Sequence, residues 1–390
     1  MSWSISRFRA GELVEVRTKE EILATLDQDG RIAGMPFMPE MLQFCGRQVR
    51  VGAVAHKTCE TAQMLYESRR LDRMVHLDGL RCDGSAHGGC QAECLLFWRD
   101  EWLKPVTGDA GAPASSVAPN ARLDRCSEEQ LLRATRAVDS EEPGDTRYSC
   151  QATLVTSASR PLAWWNPRQY LLDITTGNHS AAHTLRVVFL ASLRWTLKRL
   201  PVGYRLFKAF HDRMHLALSG RGAPSWNGQI PDGQPTPTAR LDLAPGELVR
   251  IRTQAEIERT INTKSRNRGL GFDPEEMAPY CGRVVQVHKA VTRIIEEHTG
   301  RMIHMREPCI MLEGVLCRAE SARCRLNCPR AIPPYWREIW LERVNAPTSA
   351  AGSDSLARSA TPLPSPEPAA APPVVNHGAA GISATISSGR

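Results

Sequence analysis

The chain has 390 residues, 42% of them apolar and 23% charged, with a net charge of +7. These values exclude a fibrous or wholly disordered chain, and the modest charge permits an acidic partner without demanding one. Residues Met1 to Gly11 hold no apolar core of signal-peptide length. The expectation is therefore a cytoplasmic protein whose twelve cysteines ligate metal rather than pair as disulfides.

In chain order, Leu13, Val14 and Val16 predict a short strand. A brief helix follows, opened by the capping box Thr18-x-x-Glu21. Val49, Val51 and Ala53 alternate as in a half-buried strand. The polar stretch 60–72 reads as a hairpin connection, with Cys59 ending the outgoing strand and position 74 opening the return. Met74–Leu80 and Trp98–Val106 read as further strands. Thr107–Pro119 is rich in Gly, Pro, Ala and Ser and reads as a linker. Ser127-Glu-Glu-Gln130 is a second type of capping box, opening a helix through Ala134, and Trp164-Trp165 is expected to pack on a core. Asn166-Pro167 is an N-cap with a first-turn proline, opening a helix that stops near Gly177. Longer helices are predicted over 181–200 and 204–218, separated by Pro201 and Gly203. Gly220–Thr238 reads as another linker.

The chain then repeats itself. Gly11-Glu-Leu-Val returns as Gly246-Glu-Leu-Val, Phe44-Cys-Gly-Arg47 as Tyr280-Cys-Gly-Arg283, and Cys90-x-x-x-Cys94 as Cys324-x-x-x-Cys328. Trp98-Arg-Asp-Glu-Trp102-Leu103 returns as Trp336-Arg-Glu-Ile-Trp340-Leu341, and Thr253-x-x-Glu256 is again a capping box. About five short strands in roughly 100 residues suggest a small barrel. The expected fold is mainly β with a helical insert: two small SH3-like barrels flank an α-helical segment, and a disordered C-terminal tail follows. The divisions are repeat one at 6–106, a linker at 107–125, a helical basic segment at 126–219, a linker at 220–240, repeat two at 241–344 and the tail at 345–390. The tail is Ala/Pro/Ser-rich and lacks the apolar surface to offset ordering entropy.

Each repeat carries five cysteines: Cys45, Cys59, Cys82, Cys90 and Cys94, then Cys281, Cys309, Cys317, Cys324 and Cys328. Four of the five align. Cys59 stands where repeat two has Ile295, and Cys309 where repeat one has Met74. Positions that face each other across a hairpin can serve one metal from either strand. This predicts two tetrads, Cys59, Cys82, Cys90 and Cys94, and Cys309, Cys317, Cys324 and Cys328. Four thiolates suit a closed zinc site, or alternatively a [4Fe–4S] cluster. Cys45 and Cys281 read as core residues, and Cys126 and Cys150 as simply buried. His87, in Cys82-Asp-Gly-Ser-Ala-His-Gly-Gly-Cys90, reads as a loop histidine near the ligands, since repeat two has Ser321 there.

The 181–222 stretch carries Arg186, Arg194, Lys198, Arg199, Arg205, Lys208, Arg213 and Arg221 against Asp212. Its bland reading is a core helix with a solvated basic edge. Its sharper reading is a surface for an anionic membrane or nucleic acid. The apolar run is too short and too charged for a transmembrane segment. His179-x3-His183 and His211-x3-His215 have helical metal spacing but lack the Glu of a His-Glu-x-x-His protease. The motifs Pro-Glu-Met-x-x-(Phe/Tyr)-Cys-Gly-Arg, Gly-Leu-Arg-Cys-Asp-Gly-Ser-Ala-His-Gly-Gly-Cys and Trp-Trp-Asn-Pro-Arg-Gln-Tyr together resemble an uncharacterised group of bacterial cysteine-rich hypothetical proteins. That resemblance implies no activity. No catalytic constellation is legible, so the expected function is a zinc-stabilised binding or scaffold protein with a protein partner. An iron–sulfur or thiol redox accessory protein is the alternative, and a nucleic-acid binder the second alternative.

Overall fold

The computed structural model describes residues 3–60, 68–106, 126–137, 146–197, 204–224 and 226–344. The expected tail at 345–390 and the expected linker at 107–125 lie outside these residues. Helix makes up 26% and strand 27% of the described residues, so the fold is mixed rather than mainly β. The middle third supplies long helices, while much of each repeat is turns and 3₁₀ segments between short strands.

Repeat one opens with β1 (Leu13–Val16) and α1 (Lys19–Leu23), then a small hairpin of β2 (Arg31–Ile32) and β3 (Met35–Pro36). A 3₁₀ turn at Pro39–Phe44 leads into β4 (Gln48–Val54), β5 (Lys57–Cys59), β6 (Ser68–Arg70), β7 (Met74–Arg81), β8 (Leu95–Arg99) and β9 (Leu103–Pro105). The main sheet runs β8-β7-β4-β1-β9 and curls into a half-barrel. Alternation explains its packing: Val14 and Val16 point inward onto Val51, Leu77, Trp98 and Trp102 in one continuous apolar core.

The middle segment holds α2 (Glu128–Arg133), β10 (Arg136–Ala137), β11 (Arg147–Tyr148), α3 (Gln151–Leu154), β12 (Arg160–Leu162), α4 (Pro167–Thr175), α5 (Ala181–Leu197) and α6 (Tyr204–Ser219). The caps act as their residues dictate. The Gln130 amide donates to Ser127 Oγ at 3.1 Å, and the Arg168 amide donates to Asn166 Oδ1 at 3.0 Å. β12 is not part of an isolated helical domain; it pairs with β6 of repeat one. Trp164 meets Trp195 at a tilt, ring centroids 5.8 Å apart, but Trp165 is 71% exposed and departs from the core role expected of it.

Repeat two restates repeat one. β13 (Leu248–Ile251), α7 (Gln254–Glu258), β14 (Arg266–Asn267), β15 (Leu270–Gly271), β16 (Val284–Ile295), β17 (Met302–Leu312) and β18 (Leu341–Arg343) give a sheet ordered β17-β16-β13-β18. Val14 pairs with Val49 and Pro105, and Val249 with Val285 and Arg343. Trp98 stands opposite Val75, and Trp336 opposite Ile310. In both halves a phenylalanine wedges against two tryptophans: Phe37 on Trp98 and Trp102, Phe272 on Trp336 and Trp340.

The stretch 220–240, expected to be a linker, is strapped to repeat two. Ile230 exchanges backbone hydrogen bonds with Ile261 and Thr263, and Asn267 Nδ2 donates to the Pro237 carbonyl at 2.9 Å. Residues 1–345 form one compact unit. At its centre the buried Asp173 of α4 accepts from Lys57 Nζ at 2.7 Å and from Asn327 Nδ2 at 3.0 Å, tying the middle segment to both repeats.

Candidate metal centre

The loop between β7 and β8 is shaped by glycine. Gly84 has φ +73°, and a Cβ there would lie 2.0 Å from the Cys90 carbonyl oxygen. Only glycine lets the chain close so tightly. The amides of His87 and Gly89 both donate to the Gly84 carbonyl, at 3.2 and 2.9 Å, which turns the His87 ring back towards Cys82. The 3₁₀ turn at Pro39–Phe44 presents Glu40 from the opposite side.

The result is a compact triad. Cys82 Sγ lies 3.2 Å from Glu40 Oε1 and 3.4 Å from His87 Nε2, and His87 Nδ1 lies 3.4 Å from Glu40 Oε1. Glu40 is 6% and His87 1% exposed. Among the described residues this is the group of His, Cys, Asp and Glu donors that all lie within 4.8 Å of one another. Glu40 Oε2 has no hydrogen-bond partner there.

Electrostatics favours the uncharged forms. Burial raises the Glu40 carboxyl above the usual carboxylate range. Burial draws the His87 imidazole down to about 4. Burial, and then the Glu40 carboxylate beside it, push the Cys82 thiol far up. A buried carboxylate and thiolate need a cation to be stable. One donor atom from each residue can be chosen so that all three lie within 4.8 Å of one another. The group could hold a metal ion.

Repeat two provides the comparison. Its counterpart carboxylate, Glu276, is also buried and lies beside Cys317. Position 87 becomes Ser321, and the cation is instead Arg325, whose Nε lies 3.4 Å from Glu276 Oε1. Glu276 Oε2 also accepts from the Arg318 amide at 2.7 Å and the Ala319 amide at 3.2 Å. One repeat thus neutralises this glutamate with a guanidinium, and the other places an imidazole and a thiol there.

The eight cysteines expected in two tetrads are distributed differently. Across the hairpin, Cys59 faces Ser68 of β6, while Met74 lies in a different ladder, opposite Arg99. In repeat two, Ile295 faces Met302 and Cys309 faces Val291. The two unmatched positions therefore do not meet, because β5 and β6 form their own hairpin before the chain returns at β7. Cys59 packs with Cys317 and Cys328 of repeat two. Cys82 and Cys94 lie against the first core, and burial pushes the Cys94 thiol to about 11. Cys90 Sγ accepts from the Ile295 amide at 3.3 Å. Cys309 packs with Val291 and Met311. Cys324 lies in the 3₁₀ turn Arg323–Arg325.

Cys45 and Cys281 sit against the first and second cores, and Cys126 and Cys150 are buried in the first. Glu40 was not singled out in the sequence, although Glu-Met recurs just before both aromatic-Cys-Gly-Arg motifs, as Glu40-Met41 and Glu276-Met277, and could have flagged it. His179 and His183 stack at 4.6 Å on α5 and the turn before it. In the basic stretch, Arg194 pairs with Glu275 and lies 4.8 Å over the Trp226 ring, and Arg186 lies 3.3 Å from Glu320. Lys198 and Arg199 lie outside the described residues. No helix among the described residues is long and apolar enough to cross a membrane. The chain matches no protein-family profile, and no curated protein is detectably similar to it.

Proposed function

We propose that this is a zinc-stabilised binding or scaffold protein of the cytoplasm, built on two SH3-like repeats, with Glu40, Cys82 and His87 as zinc ligands in the first. The observation that carries the reading is the unequal pair of glutamates. Glu276 has Arg325 within ion-pair distance, whereas Glu40 is equally buried and faces a thiol and an imidazole instead. One oxygen, one nitrogen and one sulfur donor suit zinc, whereas an iron–sulfur cluster asks for thiolates throughout. The burial of Glu40 and His87 favours a structural ion over one that meets substrate. Metal analysis of the full chain tests this. Zinc is expected in the purified protein, and His87→Ala is expected to lose one equivalent relative to it. Equal zinc in the two proteins would overturn the assignment.

A second reading rests on α5 and α6, which pack together yet leave Leu185, Phe189, Leu206 and Phe210 exposed, Leu206 at 82%. Apolar side chains beside basic ones fit an anionic membrane surface better than nucleic acid, because Arg186 and Arg194 are already held by carboxylates. Sedimentation with phosphatidylserine vesicles, and not with phosphatidylcholine vesicles, is the expected result. Salt-sensitive binding to duplex DNA without vesicle binding would favour nucleic acid instead.

A further inference from the structure

We propose a second metal centre, a four-thiolate site shared between the repeats, made by Cys59 of the first with Cys317, Cys324 and Cys328 of the second. β5 ends at Cys59, whose amide donates to Cys328 Sγ at 3.2 Å. Cys59, Cys317 and Cys328 pack in one cluster with Ala319 and Ile332. The turn carrying Cys324 lies on β5 and β6, and Ser68, opposite Cys59 in that ladder, donates Oγ to the Cys324 carbonyl at 2.7 Å. Three cysteines of the second repeat's frame thus converge on the one cysteine of the first repeat that has no counterpart.

The duplication explains why the ligands are shared. Each repeat's cysteine loop docks on the other repeat at the same strand position. In one direction that position is Cys59, against Cys328; in the other it is Ile295, against Cys90. The loop that meets Ile295 finds no thiol there, and it is the loop that carries His87, beside Glu40. The loop that meets Cys59 has Ser321 in place of His87, and its Glu276 is taken by Arg325. Each aligned cysteine, Cys82 or Cys317, therefore has one means of completing a metal shell, and the two means differ. This second site does not depend on the Glu40–Cys82–His87 assignment.

The surroundings suit thiolates. Amide-to-sulfur hydrogen bonds stabilise negative sulfur. Arg330 is fully buried and donates to the Cys59 carbonyl at 3.4 Å and to Glu297 at 2.6 Å. On binding, the four thiols release their protons to solvent and each sulfur donates a lone pair, with no change in oxidation state. No three of these sulfurs all lie within 4.8 Å of one another, so side-chain rotation must draw them onto the ion. Cys324 borders a cavity of about 750 Å³ with Trp195, Trp226 and Arg325, which gives the ion a way in.

The test counts metal in the full chain. Wild type should bind one equivalent more than Cys59→Ile, a replacement that copies the residue repeat two uses, while Cys309→Ser should match wild type. X-ray absorption on the His87→Ala protein should show an all-sulfur shell, with metal–sulfur distances of about 2.3 Å. That measurement keeps the proposal testable if Cys59→Ile fails to fold. Zinc, or iron with acid-labile sulfide, both fulfil the prediction and identify the occupant. Unchanged metal in Cys59→Ile, a mixed nitrogen, oxygen and sulfur shell in His87→Ala, or a native mass two hydrogens lighter for each cysteine pair with no metal bound would overturn it. The last outcome would mean disulfides.

Discussion

Asp173 is a single carboxylate on which three parts of the chain depend. It is fully buried with Lys57, which is itself almost fully buried, and His56 Nε2 lies 3.2 Å from its other oxygen. Removing it leaves the ammonium stranded. Asp173→Ala is expected to cost about 3–5 kcal/mol, read as a lower urea midpoint. Replacing both partners with apolar residues should cost less than that. Burial opposes ionisation of Asp173, but His56 and Lys57 outweigh it and hold its pKa below the ordinary value. A carboxyl depressed in the folded state contributes its full stability above the unfolded value, about 4, and loses it as pH falls through the lower folded value. Acid unfolding of Asp173→Asn should therefore lack that component. Gly84 is the second sensitive residue. Gly84→Ala meets both a positive φ and the Cys90 backbone, so it should weaken the zinc binding proposed for the neighbouring triad, measurable as faster zinc loss to a chelator.

Among the elements, the short helices α1 and α7 show how local chemistry acts without tertiary help. Thr18 and Thr253 each accept from the amide three residues on, at 3.3 Å, while Glu21 and Glu256 reach back to the threonine amides. Thr253→Ala should cost about 1 kcal/mol in thermal or denaturant unfolding. The strands show the opposite. β16 runs twelve residues without interruption, whereas the matching stretch of repeat one is divided into β4 and β5. The division lets β5 leave the main sheet and pair with β6, which in turn pairs with β12. That departure carries Cys59 away from its own repeat's cysteines.

Across the whole molecule the repeats interlock instead of folding side by side. Gln91 of the first accepts from the Thr292 amide of the second at 2.7 Å, and Glu93 binds His288 at 2.9 Å. Phe97 depends on the middle segment, since its amide donates to Gln151 Oε1 at 2.8 Å. Repeat one expressed alone should consequently fail to give a cooperative unfolding transition, while the full chain cleaved within 107–125 should remain associated on size exclusion. Partial burial opposes protonation of His288, but Glu93 and Glu313 outweigh it and raise its pKa. A raised histidine contributes fully below the unfolded value, about 6.5, and its contribution fades as pH rises through the folded one. Protection of the amides near Gln91 and Thr292, taken relative to the intrinsic hydroxide-catalysed rate, should fall across that window, and His288→Gln should abolish that fall.

The sequence by itself determined whatever depends on neighbours along the chain. The duplication, the capping boxes at Thr18, Ser127 and Thr253, the Asn166 cap and the break between α5 and α6 were all legible, because each is written in residues a few positions apart. The cysteines are legible as candidate ligands, but which of them meet is not. A thiol's ligand set depends on which strands leave the sheet and which loop they meet, and no spacing within one repeat records that. Glu40 was silent for the same reason. A glutamate after proline looks like a solvated turn until the fold buries it beside Cys82 and His87, with no arginine of the described residues in ion-pair reach. Tertiary structure alone decided that Glu276 has its cation and Glu40 does not, because Arg325 comes from a distant turn that only the closed fold brings to the carboxylate.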